Sequence, residues 1–258
     1  MPIRSRSSGP SASSFEASRF GHNASTPFTL NEPGFDAWLP GDLFGVYTRV
    51  AVTSNRRAGS VAVLTTSYLA GAIPFAQIVA RFTSTIDLRD HGVGTVSASG
   101  LKDVAGAGPV IVAGVLDVAK GTIGPHLAGA QQRPTLATIA GAVAVTGHNW
   151  SPFLRGAGGR GISPAMGALL VMAPEGAAVL LAGVAAGRAL GETALGALAA
   201  YAALVPTLAR TRGHAGGVTA AAVLAPIVVK RLVGNRRPTA PRTYVWRLLL
   251  DRDQCSKS

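Results

Sequence analysis

From Val61 onward the chain alternates long apolar runs with short polar breaks, and the runs carry almost no Lys or Arg. A helix flanking a soluble core would show polar residues every turn on its outer face, and those are missing. Crossing the hydrocarbon takes about 20 apolar residues per helix. The pattern predicts seven spans, at 61–82, 104–129, 134–153, 161–173, 174–190, 192–209 and 214–233. The fourth and fifth are short and share a break at Pro174-Glu175-Gly176, so a single bent helix, giving six spans, is the alternative. The expected fold class is all-α: a polytopic integral membrane helix bundle of about seven transmembrane helices.

Cations between the runs predict an orientation. Arg81, Arg89 and Lys102 follow the first span, Arg155 and Arg160 the third, and Arg188 the fifth; Lys230, Arg231, Arg236 and Arg237 follow the last. With seven spans all of these fall on one side, which the positive-inside rule makes cytoplasmic and which puts the N-terminus outside. Arg133, Arg210 and Arg212 are the exceptions.

Composition sharpens the picture. Only 14% of the 258 residues are charged, yet the net charge is +12, and the mean hydropathy is +0.32. A chain so poor in charge and so basic concentrates its cations at span ends and in its tails. That argues for anionic lipid, and against nucleic acid, as the partner of the positive charge. The 32 glycines suit close helix approach in lipid, though a high-GC genome gives the same bias. The lone cysteine, Cys255, rules out an internal disulfide.

Residues 1–60 are rich in Ser, Pro, Gly and Arg and hold no long apolar run. They are expected to be a polar, mostly disordered extension with a short amphipathic piece near Phe35–Tyr47. Residues 61–234 form the transmembrane domain and 235–258 a basic cytoplasmic tail, in which Tyr244, Trp246 and five arginines suit an anionic leaflet.

Three polar segments interrupt the spans, all on the predicted cytoplasmic side. The first runs Asp87-Leu88-Arg89-Asp90-His91-Gly92-Val93-Gly94-Thr95-Val96-Ser97. Its glycines and hydroxyls can present N–H groups to an anion, or can simply turn the chain between helices. The second is Leu116-Asp117-Val118-Ala119-Lys120-Gly121. Asp117 and Lys120 lie one helical turn apart, so they can pair structurally or serve chemistry in the interior. The third is Gly147-His148-Asn149-Trp150-Ser151-Pro152-Phe153, then Gly158-Gly159-Arg160-Gly161-Ile162-Ser163. A Gly-Gly-cation-Gly turn entering a helix combines free N–H groups, a favourable dipole and a fixed charge, which suits a phosphate. An interfacial loop with a snorkelling arginine is the plainer reading.

In order, these segments read Gly-x-Ile-Pro-Phe, Gly-x-Gly, Leu-Asp-x-x-Lys-Gly, Gly-His-x-x-x-Pro-Phe and Gly-Gly-(Lys/Arg)-Gly, over about residues 67–235. The series resembles the bacterial acyl-phosphate:glycerol-3-phosphate acyltransferases. The resemblance implies a seven-helix inner-membrane enzyme of phospholipid biosynthesis, with acyl phosphate and glycerol 3-phosphate as substrates, lysophosphatidic acid as product, and no metal or cofactor. It implies Arg160, Lys120, Asp117 and His148 as catalytic candidates. Gly92, Gly94, Thr95, Ser97, Gly158, Gly159, Gly161 and Ser163 become candidates for binding substrate.

The chain also departs from that pattern. The family's first loop reads Gly-Ser-Gly-Asn-x-Gly-Ala-Thr-Asn with an Arg three residues beyond. Here Val93, Thr95, Gly100 and Asp103 replace its Ser, its two Asn and its Arg. An aspartate there repels a phosphate dianion that an arginine would attract. The lysine of Gly-Gly-Lys-Gly is Arg160, a planar fork in place of a point donor. A hydroxyl expected near the sixth helix falls at Gly191, with Thr193 close by. The His and Asn that precede the final Arg-Leu pair have no counterpart in Leu224–Val229. A catalytically degenerate homologue that binds lipid or regulates an active paralogue is therefore the competing expectation. A small-solute transporter is a third, which the ordered motifs argue against.

Overall fold

The computed structural model describes residues 41–90, 94–235 and 241–250. Among them every regular element is helical: α1 (Gly41–Ala72), α2 (Phe75–Ser84), α3 (Ala98–Ala105), α4 (Ala107–Leu127), α5 (Pro134–Asn149), a 3₁₀ turn at Pro152–Leu154, α6 (Ile162–Met172), α7 (Pro174–Ala189), α8 (Thr193–Val233) and α9 (Arg242–Leu250). The chain divides into two units, Met1–Val52 and Thr53–Ser258, and the helices from α2 onward belong to the second. The expectations for residues 1–40, for His91-Gly92-Val93 and for Cys255 fall outside the described residues.

Each apolar run of the sequence forms helix, and the breaks have local causes. The run at 61–82 is interrupted at Ile73-Pro74, where α1 ends and α2 begins, because proline cannot donate to the preceding turn. Pro134 and Pro174 stand at the first positions of α5 and α7, where their missing N–H costs nothing. Ala173, at φ −157° and ψ 78°, separates α6 from α7 and makes Pro174-Glu175-Gly176 a true break between two helices. The last two runs are the halves of α8, divided at Gly213, which adopts φ 67° and ψ −162°.

Among the described residues, three stretches are long and apolar enough to cross a membrane: Arg57–Ser84 counted through the proline break, Ala107–Leu127 and Thr193–Val233. The packing fits a lipid solvent. Ile111, Val112, Val115, Leu181, Leu195 and Val218 point outward, where acyl chains solvate them at no cost. Inside, Leu169, Leu180, Leu204, Leu208, Val223 and Ile227 form the core shared by α6, α7 and α8. Small residues set the closest approach: a Cβ at Gly121 would overlap the Pro164 backbone, and one at Gly167 the Val118 carbonyl. These contacts bring α4 and α6 together and so bring Asp117 near the start of α6.

Candidate functional site

Helices α3, α4, α6, α7 and α8 enclose a cavity of about 420 Å³. Its polar wall includes Ser97, Ser99, Lys102, Asp103, Asp117, His148, Arg160, Ser163, Arg188, Thr193 and Arg231; Val110, Ala113, Ile162, Met166, Val184 and Ile227 supply an apolar wall. Four permanent cations against two carboxylates give it a positive balance, and one of those carboxylates is already neutralised by a partner. Such a space accepts an anionic head together with an apolar chain.

Three local structures build it. Ser97 caps α3, its Oγ accepting from the Gly100 N–H at 3.3 Å. This exposes Ser99 and, one turn further on, Lys102 and Asp103. Ahead of the cap, Gln77 Oε1 accepts from the Leu88 N–H at 2.9 Å. Asp87 accepts from Arg89 at 2.7 Å and from Arg81 at 2.9 Å. The hydrogen bonds from Arg89, above all, hold the Asp87 carboxyl well below its ordinary pKa.

The second structure is the buried pair in α4. Lys120 Nζ stands 2.7 Å from Asp117 Oδ1 and donates to the Ile73 carbonyl at 2.5 Å. That carbonyl belongs to the break between α1 and α2, where its helical partner is lost. The same carboxylate lies 3.7 Å from His148 Nδ1 at the end of α5. Asp117 thus lies beside the end of α5 without a hydrogen bond to it, while Lys120 is not part of the cavity wall.

The third is the turn into α6. Gly161, at φ 76°, is its left-handed N-cap, and a side chain there would strike Asn149 and Val145. Arg160 and Ser163 flank this cap on the cavity wall. A Cβ at Gly158 would overlap the carbonyls of His148 and Asn149, and one at Gly159 would overlap the His148 ring. The Gly159 N–H donates to the His148 carbonyl at 3.3 Å, so that donor is used internally.

The sequence candidates thus separate by position. Ser97, Asp117, His148, Arg160, Gly161 and Ser163 share the cavity. Gly94, Thr95, Gly158, Gly159 and Lys120 stand behind its walls, and Gly92 lies outside the described residues. Asn235 donates to the carbonyls of Gly94 at 2.9 Å and Gly158 at 3.0 Å, tying the two glycine loops together.

Several wall residues escaped the sequence reading: Ser99, Lys102, Arg188, Tyr201 and Arg231. For Arg231 a signal was present, since it follows Ala220, Val223, Leu224 and Ile227 at helical spacing on the buried face of α8. Thr193, noted only as a neighbour of Gly191, is the hydroxyl that reaches the wall at the start of α8. Lys230 is also buried, its ammonium 5.1 Å from the Trp150 ring centre.

Residues 61–238 match the glycerol-3-phosphate acyltransferase family. Glycerol-3-phosphate acyltransferase 2 of Moorella thermoacetica is 40% identical over 111 residues, which cover 43% of this chain and 57% of that protein. The glycerol-3-phosphate acyltransferase of Myxococcus xanthus is 35% identical over 179 residues, 68% of this chain and 93% of that protein. The chain thus spans just over half of the Moorella relative and nearly all of the Myxococcus one. In fold it is similar to PlsY (YgiH), an integral membrane glycerol 3-phosphate acyltransferase crystallised in its glycerol 3-phosphate form. The TM-score is 0.59 at 23% identity, over 69% of this chain and 94% of that one.

Proposed function

Because the chain belongs to the glycerol-3-phosphate acyltransferase family, we propose that it transfers an acyl group from acyl phosphate to glycerol 3-phosphate, giving lysophosphatidic acid for phospholipid biosynthesis. The observation that carries the proposal is the cavity at the start of α6. Arg160 and Ser163 flank the Gly161 cap there, Lys102, Arg188 and Arg231 add positive charge, and an apolar wall continues the space.

The acyl phosphate lies with its phosphate near Arg160 and Ser163 and its chain along Val110, Ile162 and Met166. The acceptor hydroxyl attacks the acyl carbon, and a C–O bond forms. The bond from that carbon to the phosphate oxygen breaks, and inorganic phosphate leaves with the electron pair. The hydroxyl proton passes to a phosphate oxygen or to water. Phosphate leaves readily without a strong acid, so the work is positioning and charge neutralisation. Asp117, paired with Lys120, and His148 stand side by side at the cavity wall. Gly94, Thr95, Gly158 and Gly159 shape the loops that carry Ser97 and Arg160. Residues 61–234 form the catalytic domain, in the inner membrane, with the glycine loops and the basic tail of 235–258 on the cytoplasmic side and residues 1–60 as an extension.

One observation favours a second reading. Asp103 stands on the wall, where a carboxylate opposes a phosphate dianion, as expected of a degenerate homologue. Complementation separates the two. In a bacterium whose own glycerol-3-phosphate acyltransferase is switched off, the chain is expected to restore growth and lysophosphatidic acid, and its Arg160→Ala variant is not. Failure of the wild-type chain at normal membrane abundance would support the degenerate homologue.

A further inference from the structure

Helix α9 lies beyond residue 238, where the family match ends, yet it contacts Arg231 of the cavity wall. Arg247 is 2% exposed, and an arginine so buried needs acceptors. It donates to the carbonyls of Leu232 and Val233, in the last turn of α8, where helical partners run out. Gly234, at φ 67°, turns the chain here, and a Cβ on it would lie 2.8 Å from the Arg247 guanidinium.

The contact also runs in the other direction. Arg231 Nε donates to the Arg247 main-chain carbonyl at 3.2 Å, and Arg231 Nη2 donates to the Ala194 carbonyl at 2.9 Å. Its guanidinium carbon is 5.8 Å from the Tyr201 ring centre. Arg231, Ala194 and Tyr201 all line the cavity. The plane of the Arg231 fork is therefore set from α9 on one side and from the first turn of α8 on the other. A planar fork recognises a phosphate only in a fixed orientation.

We propose that α9 is a strap of the anion site, in which Arg247 is a positioning residue that orients Arg231 toward the phosphate of a bound substrate. This rests on the reading of the cavity as a phosphate-ester site. The Arg247 side chain anchors α9 to the end of α8, and so holds in place the main-chain carbonyl that Arg231 meets.

The test is a double-mutant cycle on the full chain in nanodiscs, with Arg247→Ala, Arg231→Ala and both together. KM and kcat are measured for glycerol 3-phosphate and for palmitoyl phosphate. Dissociation constants for glycerol 3-phosphate and inorganic phosphate are taken from ligand-induced shifts in unfolding temperature. Arg247→Ala is expected to weaken one phosphate ligand about tenfold while kcat stays within about twofold, and the ligand affected identifies the phosphate that Arg231 meets. In the Arg231→Ala background the same change is expected to add less than about twofold, because coupled residues are not additive. Arg247→Lys is expected to recover part of the affinity, and Gly234→Ala to reproduce the loss.

Effects of Arg247→Ala and Arg231→Ala that multiply would overturn the strap, as would a lowered unfolding temperature with unchanged ligand affinity. Wild-type protein that binds phosphate ligands but makes no lysophosphatidic acid would sink the proposed reaction and leave the cycle readable from binding. Wild-type protein that binds neither phosphate ligand would overturn the strap itself.

Discussion

The Asn235 carboxamide nitrogen sits between two main-chain carbonyls, 3.0 Å from that of Gly158 and 2.9 Å from that of Gly94. A further bond, from the Val96 N–H to the Gly158 carbonyl at 3.3 Å, fastens the same pair of loops. Asn235 follows the last turn of α8, so the end of the bundle fixes the two loops that carry Ser97 and Arg160.

Asn235→Ala removes two bonds worth about 1 kcal/mol each, and Asn235→Asp replaces the donor with a charge that repels both carbonyls. The alanine variant is expected to lose about 1–2 kcal/mol of stability and the aspartate variant more. Both are expected to lower transfer activity. Thermal unfolding in detergent beside an activity assay checks this; full activity in the aspartate variant would refute it.

Asp117 and Lys120 form a buried ion pair at 2.7 Å. Removing one partner of such a pair costs about 3–5 kcal/mol, because the other charge is left uncompensated. Asp117→Asn and Lys120→Met are each expected to destabilise strongly, and the double variant less than their sum. Unfolding temperatures of the three proteins check this, and strict additivity would contradict it.

Asp87 gives a pH dependence outside the spans. Its folded pKa lies below the ordinary carboxyl value because Arg89 and Arg81 bond its charged form. Stability from a group shifted this way is present above the unfolded value of about 3.9 and is lost as pH falls toward the folded value. The pair is near the surface, so the contribution is under about 1 kcal/mol. Wild-type protein is expected to lose this increment below about pH 4, and Asp87→Asn to lack it at every pH. Unfolding temperature scanned from neutral pH to pH 3 decides: parallel curves for the two proteins would contradict the assignment.

Asp103 on the cavity wall predicts a gain. Removing a charge that repels a phosphate dianion across a few ångströms of wet cavity amounts to about 1 kcal/mol. Asp103→Asn is therefore expected to lower KM for glycerol 3-phosphate about three- to tenfold. A raised KM would mean instead that Asp103 holds the acceptor's hydroxyls.

The sequence carried the helices well, because lipid demands long apolar runs and proline and glycine mark where they stop. Pro174 and Gly213 stand at observed breaks between expected spans, whereas the break at Pro74 falls inside the span expected at 61–82. Part of the site was legible for a similar reason. Asp117, Arg160 and Ser163 are polar groups at membrane depth or at a helix start, and such groups rarely lie there without a partner. Thr95, Gly158 and Gly159 read as anion cradle, but their neighbours are other loops and the end of α5, which spacing along the chain does not reveal. The parts of Arg188 and Arg247 were hidden because each resembles a basic residue at a span end, whereas Arg231 carried a signal in its spacing from Ala220, Val223, Leu224 and Ile227. For Arg247, only the return of α9 onto α8 tells a snorkelling arginine from one turned inward.

The most direct measurement of the central claim uses purified protein in nanodiscs with palmitoyl phosphate and glycerol 3-phosphate, following lysophosphatidic acid and inorganic phosphate together. The account predicts equimolar release of both products by the wild type, and a loss of at least about a hundredfold in kcat/KM for Arg160→Ala, the scale on which a single transition-state contact acts. Phosphate release without lysophosphatidic acid, or product formation indifferent to Arg160, would contradict it.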